Sequence, residues 1–230
     1  MTKQTMQFLF GDRELLLNIG DLLSAATEVI VNPANCDLSH ADGLAEQILQ
    51  HAGDELQNES NQLIREHGQL ESGMAVYTTA GRLPYKAVVH AVGPKMGEVD
   101  QQQMLELLVA RSLKLCEINE WQSIAFPAIS TSMFNVPLEI CARAFYRAIT
   151  SFWDARVETS PEKIILCLDQ DSFRHFFDTF RGEALQPDNV ETTGIQPSQN
   201  EDGEVKTGIV NLSEQDISEL DEDDINDWFK

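Results

Sequence analysis

The sequence predicts a mixed α/β fold, a layered sheet flanked by helices, with an acidic tail appended to it. Three observations predict it. Short alternating or apolar runs interleave with helical patterns from Gln7 to Phe180, the signature of strands and helices that share one sheet. At 230 residues, 42% hydrophobic and 23% charged, the chain is long enough for one well-packed core plus an appendage and too short for two large domains. Past Arg181 the apolar periodicity gives way to polar and acidic sequence.

Taken in order, Gln7 to Phe10 and Glu14 to Ile19 read as two strands joined at Gly11-Asp12, and Val29 to Val31 as a third, short and buried. The strand is read as breaking into Asn32-Pro33-Ala34-Asn35. Helical periodicity covers Leu44 to Ala52 and, after Gly53-Asp54, Glu55 to His67, where Gly68 supplies a stop. Alternation returns in Met74 to Thr79 and Ala87 to Val92. A helix over Gln101 to Ile118, a strand over Ile124 to Phe126, a helix from Pro137 to Phe152, a strand over Ile164 to Leu168 and a helix from Asp171 to Phe180 complete the order.

Charge and cysteine usage exclude several classes. A formal net charge of -22 and a pI near 4.4 repel a nucleic-acid backbone or an anionic membrane over a Debye length of about 8 Å, so neither is expected as a partner. A small anion held by local backbone donors is compatible with that charge. Cys36, Cys116, Cys141 and Cys167 show no CxxC spacing and no clustered histidine, so no disulfide framework, metal site or cofactor is expected. The N-terminal residues lead into an amphipathic strand rather than an apolar leader, and no apolar run approaches the roughly 20 residues of a membrane span. A cytoplasmic location fits these features.

Residues 1–185 are assigned to the folded domain and 186–230 to the tail. From Asp188 to Lys230, thirteen Asp or Glu stand against Lys206 and Lys230, leaving -11 there and the other half of the charge on the domain. The stretch from Gln186 to Gly203 reads as a disordered linker. Ile209-Val210-Asn211-Leu212 and the acid-spaced Ile217, Leu220, Ile225, Trp228 and Phe229 suit a segment that folds on a protein partner or docks back on the domain, the alternative being an inert solvated tail, so residues 209–229 are the candidate partner-binding part.

The segment from Val29 to Ile48 carries most of the functional signal. A buried strand that stops at Asn-Pro-Ala-Asn presents side-chain amides and backbone donors at a sheet edge, and six residues on, Asp42-Gly43 opens a helix whose first N–H groups are unpaired. Those donors suit a polar phosphate ester.

Several ordered motifs across positions 6 to 181 resemble the macro domain family. They are Ile19-Gly20-Asp21-Leu22, Val29-Ile30-Val31-Asn32-Pro33-Ala34-Asn35, Ser72-Gly73-Met74-Ala75, Val88-Val89-His90-Ala91-Val92-Gly93-Pro94, and Phe126 through Pro137. The resemblance implies a three-layer α/β/α fold with a mixed sheet and recognition of ADP-ribose, free or on an ADP-ribosylated protein. It implies that Asp21, beside Leu22, reads the adenine amine, that Asn35 contacts the distal ribose or orients a water, and that Asp42, Gly43, Leu44 and the loop Ser130, Thr131, Ser132, Met133, Phe134 wrap the diphosphate. Leu168 lines the adenine slot in this reading, and Phe134 covers the distal ribose. Each has a plainer alternative: an N-cap for Asp21, a turn amide for Asn35, loop or core packing for Phe134 and Leu168. Asn32 is expected to brace the loop and His90 to be a core or sheet-edge histidine.

The chain departs from the family pattern at three places. Ser132 and Asn135 stand where relatives usually carry glycines, and a Cβ there opposes both close backbone approach and positive φ. Asp42 replaces one glycine of the first loop. A carboxylate about 5 Å from a phosphate costs about 1 kcal/mol in water and about 3 at an effective dielectric near 20, unless it turns outward to cap the helix at Leu44. Ala45 stands where ester-cleaving relatives usually hold an aspartate, and alanine can neither accept a proton nor polarise a nucleophile. The leading expectation is an ADP-ribose-recognising domain. The alternatives are an ADP-ribosyl or O-acetyl-ADP-ribose hydrolase acting through Asn35, and an interaction scaffold whose pocket Asp42 and Ser132 have spoiled.

Overall fold

The chain opens on a hairpin, β1 (Thr5–Phe10) and β2 (Arg13–Ile19), turned at Gly11, whose φ of +64° a glycine adopts without strain. A short 3-10 turn (Leu22–Ser24) leads to β3 (Val29–Ala34), then α1 (Gly43–Ala52), α2 (Asp54–His67), β4 (Ala75–Thr78) and β5 (Ala87–Val92). The second half runs α3 (Gln101–Ile118), β6 (Ser123–Pro127), α4 (Leu138–Asp154), β7 (Lys163–Leu168) and α5 (Gln170–Ala184). This is a computed structural model, and it describes residues 5–132, 134–156 and 160–184. The tail assignments, the partner-binding segment 209–229 among them, lie outside the described residues.

One seven-stranded sheet orders the strands β1-β2-β7-β6-β3-β5-β4. The five inner strands are parallel and the two edges, β1 and β4, pair antiparallel. The alternation of side chains along each strand sorts the core into two layers. Val29, Val31, Ile124, Phe126, Ile164 and Leu166 face α3, α4 and α5, while Ile30, Val88, Ala125 and Ile165 face α1 and α2. The arrangement is a three-layer α/β/α sandwich, as the sequence implied. Among the described residues no helix is long and apolar enough to cross a membrane.

The observed elements match those expected, with ends shifted by a few residues and one informative exception. β3 does not stop at Val31. It continues through Asn32, Pro33 and Ala34, held in register with His90, Ala91 and Val92 of β5. On its other side, pairing with β6 ends at Ile30 opposite Ala125. Pro33, which has no N–H to give, therefore sits where one neighbour has already left.

Candidate functional site

Because the inner strands are parallel, all their C-terminal ends, and the loops that follow, lie along one edge of the sheet. Neighbouring strands β3 and β6 lead from that edge to opposite faces, β3 to α1 and β6 to α4. Their pairing ends at Ile30 and Ala125 and the loops that follow depart to opposite faces, the topology that opens a crevice between two strand ends. A reversal of this kind is where open α/β sheets accept ligands.

The first wall of the crevice is the loop from Asn35 to Asp42. Asn35 organises it: Oδ1 accepts from the backbone N–H of Asp37 (3.2 Å) and Ser39 (3.0 Å), and Nδ2 donates to the Ser39 carbonyl (3.1 Å). The amide of Asn35 is thus a brace of the loop, while its half-buried position keeps it at the crevice rim. Leu38 is fully buried at φ +49° and anchors the loop from below. Asp42 occupies the N-cap position of α1 and its carbonyl accepts from Glu46 N (3.1 Å), but its carboxylate makes no hydrogen bond to the helix. The expected side-chain cap is absent because the chain turns into the helix through Gly43 at φ +59°. The N–H groups of Gly43, Leu44 and Ala45 have no acceptor among the described residues. Together with the positive end of the helix dipole they form a set of anion donors.

The second wall is the loop between β6 and α4. Its left-handed residues are Ser130 (φ +64°) and Asn135 (φ +53°), so the backbone demand expected at Ser132 falls on Ser130 instead. Ser130 is pinned there: its carbonyl accepts from Val136 N (2.9 Å), and it presses on the end of β5 so closely that a Cβ on Gly93 would lie 2.0 Å from Ser130 Oγ. Thr131 Oγ1 donates to the Ala128 carbonyl (3.2 Å), Ser132 is exposed, and Phe134 is half-buried. Met133 lies outside the described residues.

At the far end, Asp21 caps the 3-10 turn, accepting from Leu23 N (3.1 Å) and Ser24 Oγ (3.3 Å), and its side chain is exposed. Leu22 and Leu168 beside it are both 3% exposed and pack as core. Tyr85 fixes the turn by donating towards the Leu22 and Ala25 carbonyls, each at 3.3 Å. From β2, which carries Asp21, to β3, which carries Asn35, there are three strand spacings of about 4.8 Å, about 14 Å in all. The edge therefore has room for an elongated ligand.

Comparison with known proteins decides the family. Residues 31–145 match the family model for the macro domain. An O-acetyl-ADP-ribose deacetylase of Citrobacter rodentium is 40% identical over 158 residues, 67% of this chain and 88% of that protein. The chain belongs to the macro domain family. A human protein mono-ADP-ribosyltransferase, PARP14, is 34% identical over 191 residues, which cover 80% of this chain and 11% of the human protein. Among solved structures, the Oceanobacillus iheyensis macrodomain with ADP superposes with a TM-score of 0.74 at 24% identity, covering 80% of this chain and 98% of that one.

Within this macro domain the structure brings Asn35, Asp42, Gly43, Leu44, Ser130, Thr131, Ser132 and Phe134 to the two walls of one crevice, with Asp21, Leu22 and Leu168 further along the same edge. Two features escaped the sequence reading. The loop after β5 joins the site: Met96 N donates to the Phe134 carbonyl (2.8 Å) and Lys95 Nζ lies 5.7 Å from the centre of the Phe134 ring. Gly93-Pro94 after an apolar strand was its signal. The second feature is a buried polar chain behind the first loop, in which Asn32 braces His90 on the neighbouring strand rather than the loop itself. His90 is fully buried, in keeping with a core histidine.

Proposed function

We propose that this macro domain recognises ADP-ribose, free or attached to a protein. The observation that carries the reading is the crevice between β3 and β6, where unpaired N–H groups at the start of α1 face a loop whose backbone is held left-handed at Ser130 and Asn135. The diphosphate occupies that crevice, the adenine runs along the sheet edge towards Asp21, and the distal ribose lies at Asn35. Ser130 adds to the reading, since its hydroxyl is buried and has no hydrogen-bond partner among the described residues.

Calorimetry with ADP-ribose tests this, with saturable heat expected at micromolar to millimolar ligand. The same titration on Asp42→Asn is expected to show binding tightened about fivefold, because removing an exposed charge about 5 Å from the diphosphate relieves about 1 kcal/mol in water. Silence at millimolar ADP-ribose from both proteins leaves the scaffold reading in its place.

A second reading, hydrolysis of O-acetyl-ADP-ribose or of an ADP-ribosyl ester, is favoured by the similarity to the Citrobacter deacetylase. Ala45, 8% exposed on the buried face of α1 with Ile48 and Ala52, offers no proton acceptor, so the water is oriented by Asn35 and the loops alone. Release of acetate or ADP-ribose that disappears in Asn35→Ala supports it. Absence of turnover in a long incubation at high protein concentration leaves recognition as the function.

A further inference from the structure

Behind the first loop lies a line of buried polar groups that the reading above does not use: Gln57 on α2, His40 near the loop's end, His90 on β5, Asn32 on β3 and Thr78 on β4. The hydrogen-bond partners assign the protons. Gln57 Nε2 donates to Asn61 Oδ1 (2.9 Å) and towards the Leu38 carbonyl (3.3 Å), so its Oε1 faces His40 Nδ1 at 2.9 Å as an acceptor. His40 therefore carries its proton on Nδ1. With Asn32 Nδ2 donating to His90 Nδ1 (3.0 Å), an orientation that leaves Asn32 Oδ1 buried without a partner among the described residues, His90 carries its proton on Nε2 and donates to Thr78 Oγ1 (2.9 Å), whose own hydrogen goes to the Thr79 carbonyl (3.0 Å).

The two rings then meet at 3.4 Å, His40 Nε2 against His90 Nδ1, lone pair towards lone pair. A proton arriving at His40 Nε2 finds its nearest acceptor already occupied by Asn32. It also places a cation where nothing balances it. Facing His40 are Gln57 from α2, His90 from β5 and, behind His90, Asn32 from β3 and Thr78 from β4, all uncharged. The nearest carboxylates in sequence are turned elsewhere: Asp37 is bonded by Gln69, Glu59 on α2 is held by Thr79, and Asp42 is exposed.

We propose that His40 is a positioning residue of the site. Held neutral, its ring clamps the loop from Asn35 to Gly43 against α2 and β5, and a proton on Nε2 releases that loop, so the site holds its anionic ligand near neutral pH and lets go of it in mild acid. The burial of both rings supports this, since His40 is 3% exposed and His90 fully buried, and desolvation lowers the pKa of each. The ligand half of the inference rests on the ADP-ribose reading; the loop half does not.

The test has a ligand-free arm and a ligand arm. Imidazole nitrogen shifts of the full chain are expected to show the proton on Nδ1 of His40 and on Nε2 of His90. Amide-exchange protection of Asp37, Leu38 and Ser39, whose N–H groups are bonded to Asn35, is expected to fall about tenfold between about pH 7.5 and about pH 5, and Kd for ADP-ribose to rise by a similar factor. His40→Asn places an amide donor where Nδ1 was and cannot titrate, so its protection and its Kd stay flat over that range, whatever its affinity at neutral pH. The inference is overturned by unchanging protection in the native chain or by an equal fall in His40→Asn. No ADP-ribose binding at either pH, with loop protection still pH-dependent, sinks the ligand reading and upholds the clamp.

Discussion

Gly93→Ala is expected to destabilise the domain by about 2 to 3 kcal/mol and to weaken ADP-ribose binding about tenfold. The difficulty is space rather than dihedral angle. A Cβ at position 93 meets Ser130 Oγ at 2.0 Å and Ile129 Cγ2 at 2.7 Å. Neither neighbour can step aside at little cost: Ile129 is 1% exposed in the core, and Ser130 is fixed in the left-handed region by the Val136 N–H on its carbonyl. Overpacking of this kind costs about 1 to 3 kcal/mol, and here the strain is delivered directly to the wall of the crevice. Ser130→Gly provides the internal check. It deletes the hydroxyl that collides and places glycine at φ +64°, where glycine is at ease. The double variant is therefore expected to recover at least about 1 kcal/mol of the loss, read as a coupling energy in urea unfolding. A Gly93→Ala protein as stable as the parent, or strictly additive single and double variants, means that β5 and the second loop are not pressed together.

The same contact shows why part of the site was legible in the sequence and part was not. The strands and helices announce themselves through local periodicity, and the crossing of a buried strand into a polar loop and a helix at Val29 to Leu44 locates one wall of the crevice without any knowledge of the partner strand. The continuation of β3 through Asn32-Pro33-Ala34 carries no such local signal, because asparagine and proline are poor strand formers. It is imposed by β5, more than fifty residues away, through pairs such as Asn32 with His90. Of the second loop's two left-handed residues, Asn135 is where a glycine was expected but the other is Ser130 rather than Ser132, held by the Val136 N–H and pressed against Gly93 from across the fold. Asp42 sits at the helix start as expected, yet Gly43 at φ +59° separates its carboxylate from the donors it was expected to cap. Nothing local in the sequence pairs His40 with His90. Only the packing of α2 and the loop against the sheet sets their nitrogens 3.4 Å apart.

The depth at which His90 is buried leads to the second large effect, an acid lability that a single substitution removes. Desolvation, aided by the neighbouring His40, holds the His90 pKa at about 3 against an ordinary value of 6.5. The ring is neutral in the fold, so below about 6.5 the unfolded chain binds the extra proton, and stability that is complete above that value drains away as the pH falls towards 3. By about pH 5 the loss from this one group is about 2 kcal/mol. Asp154, whose carboxyl partial desolvation lifts to about 6 against the pull of Arg13, works in the opposite sense, but the residue is exposed as a whole and solvent screens the effect. The comparison with His90→Gln cancels such contributions. Glutamine keeps a donor for Thr78 and cannot titrate, yet it strands the Asn32 N–H that Nδ1 accepts, a buried loss of about 1 to 3 kcal/mol. Urea unfolding is therefore expected to find the variant about 2 kcal/mol less stable at about pH 7.5 and level with the native chain near pH 5. Stability curves that run parallel over that interval place the proton uptake on other groups.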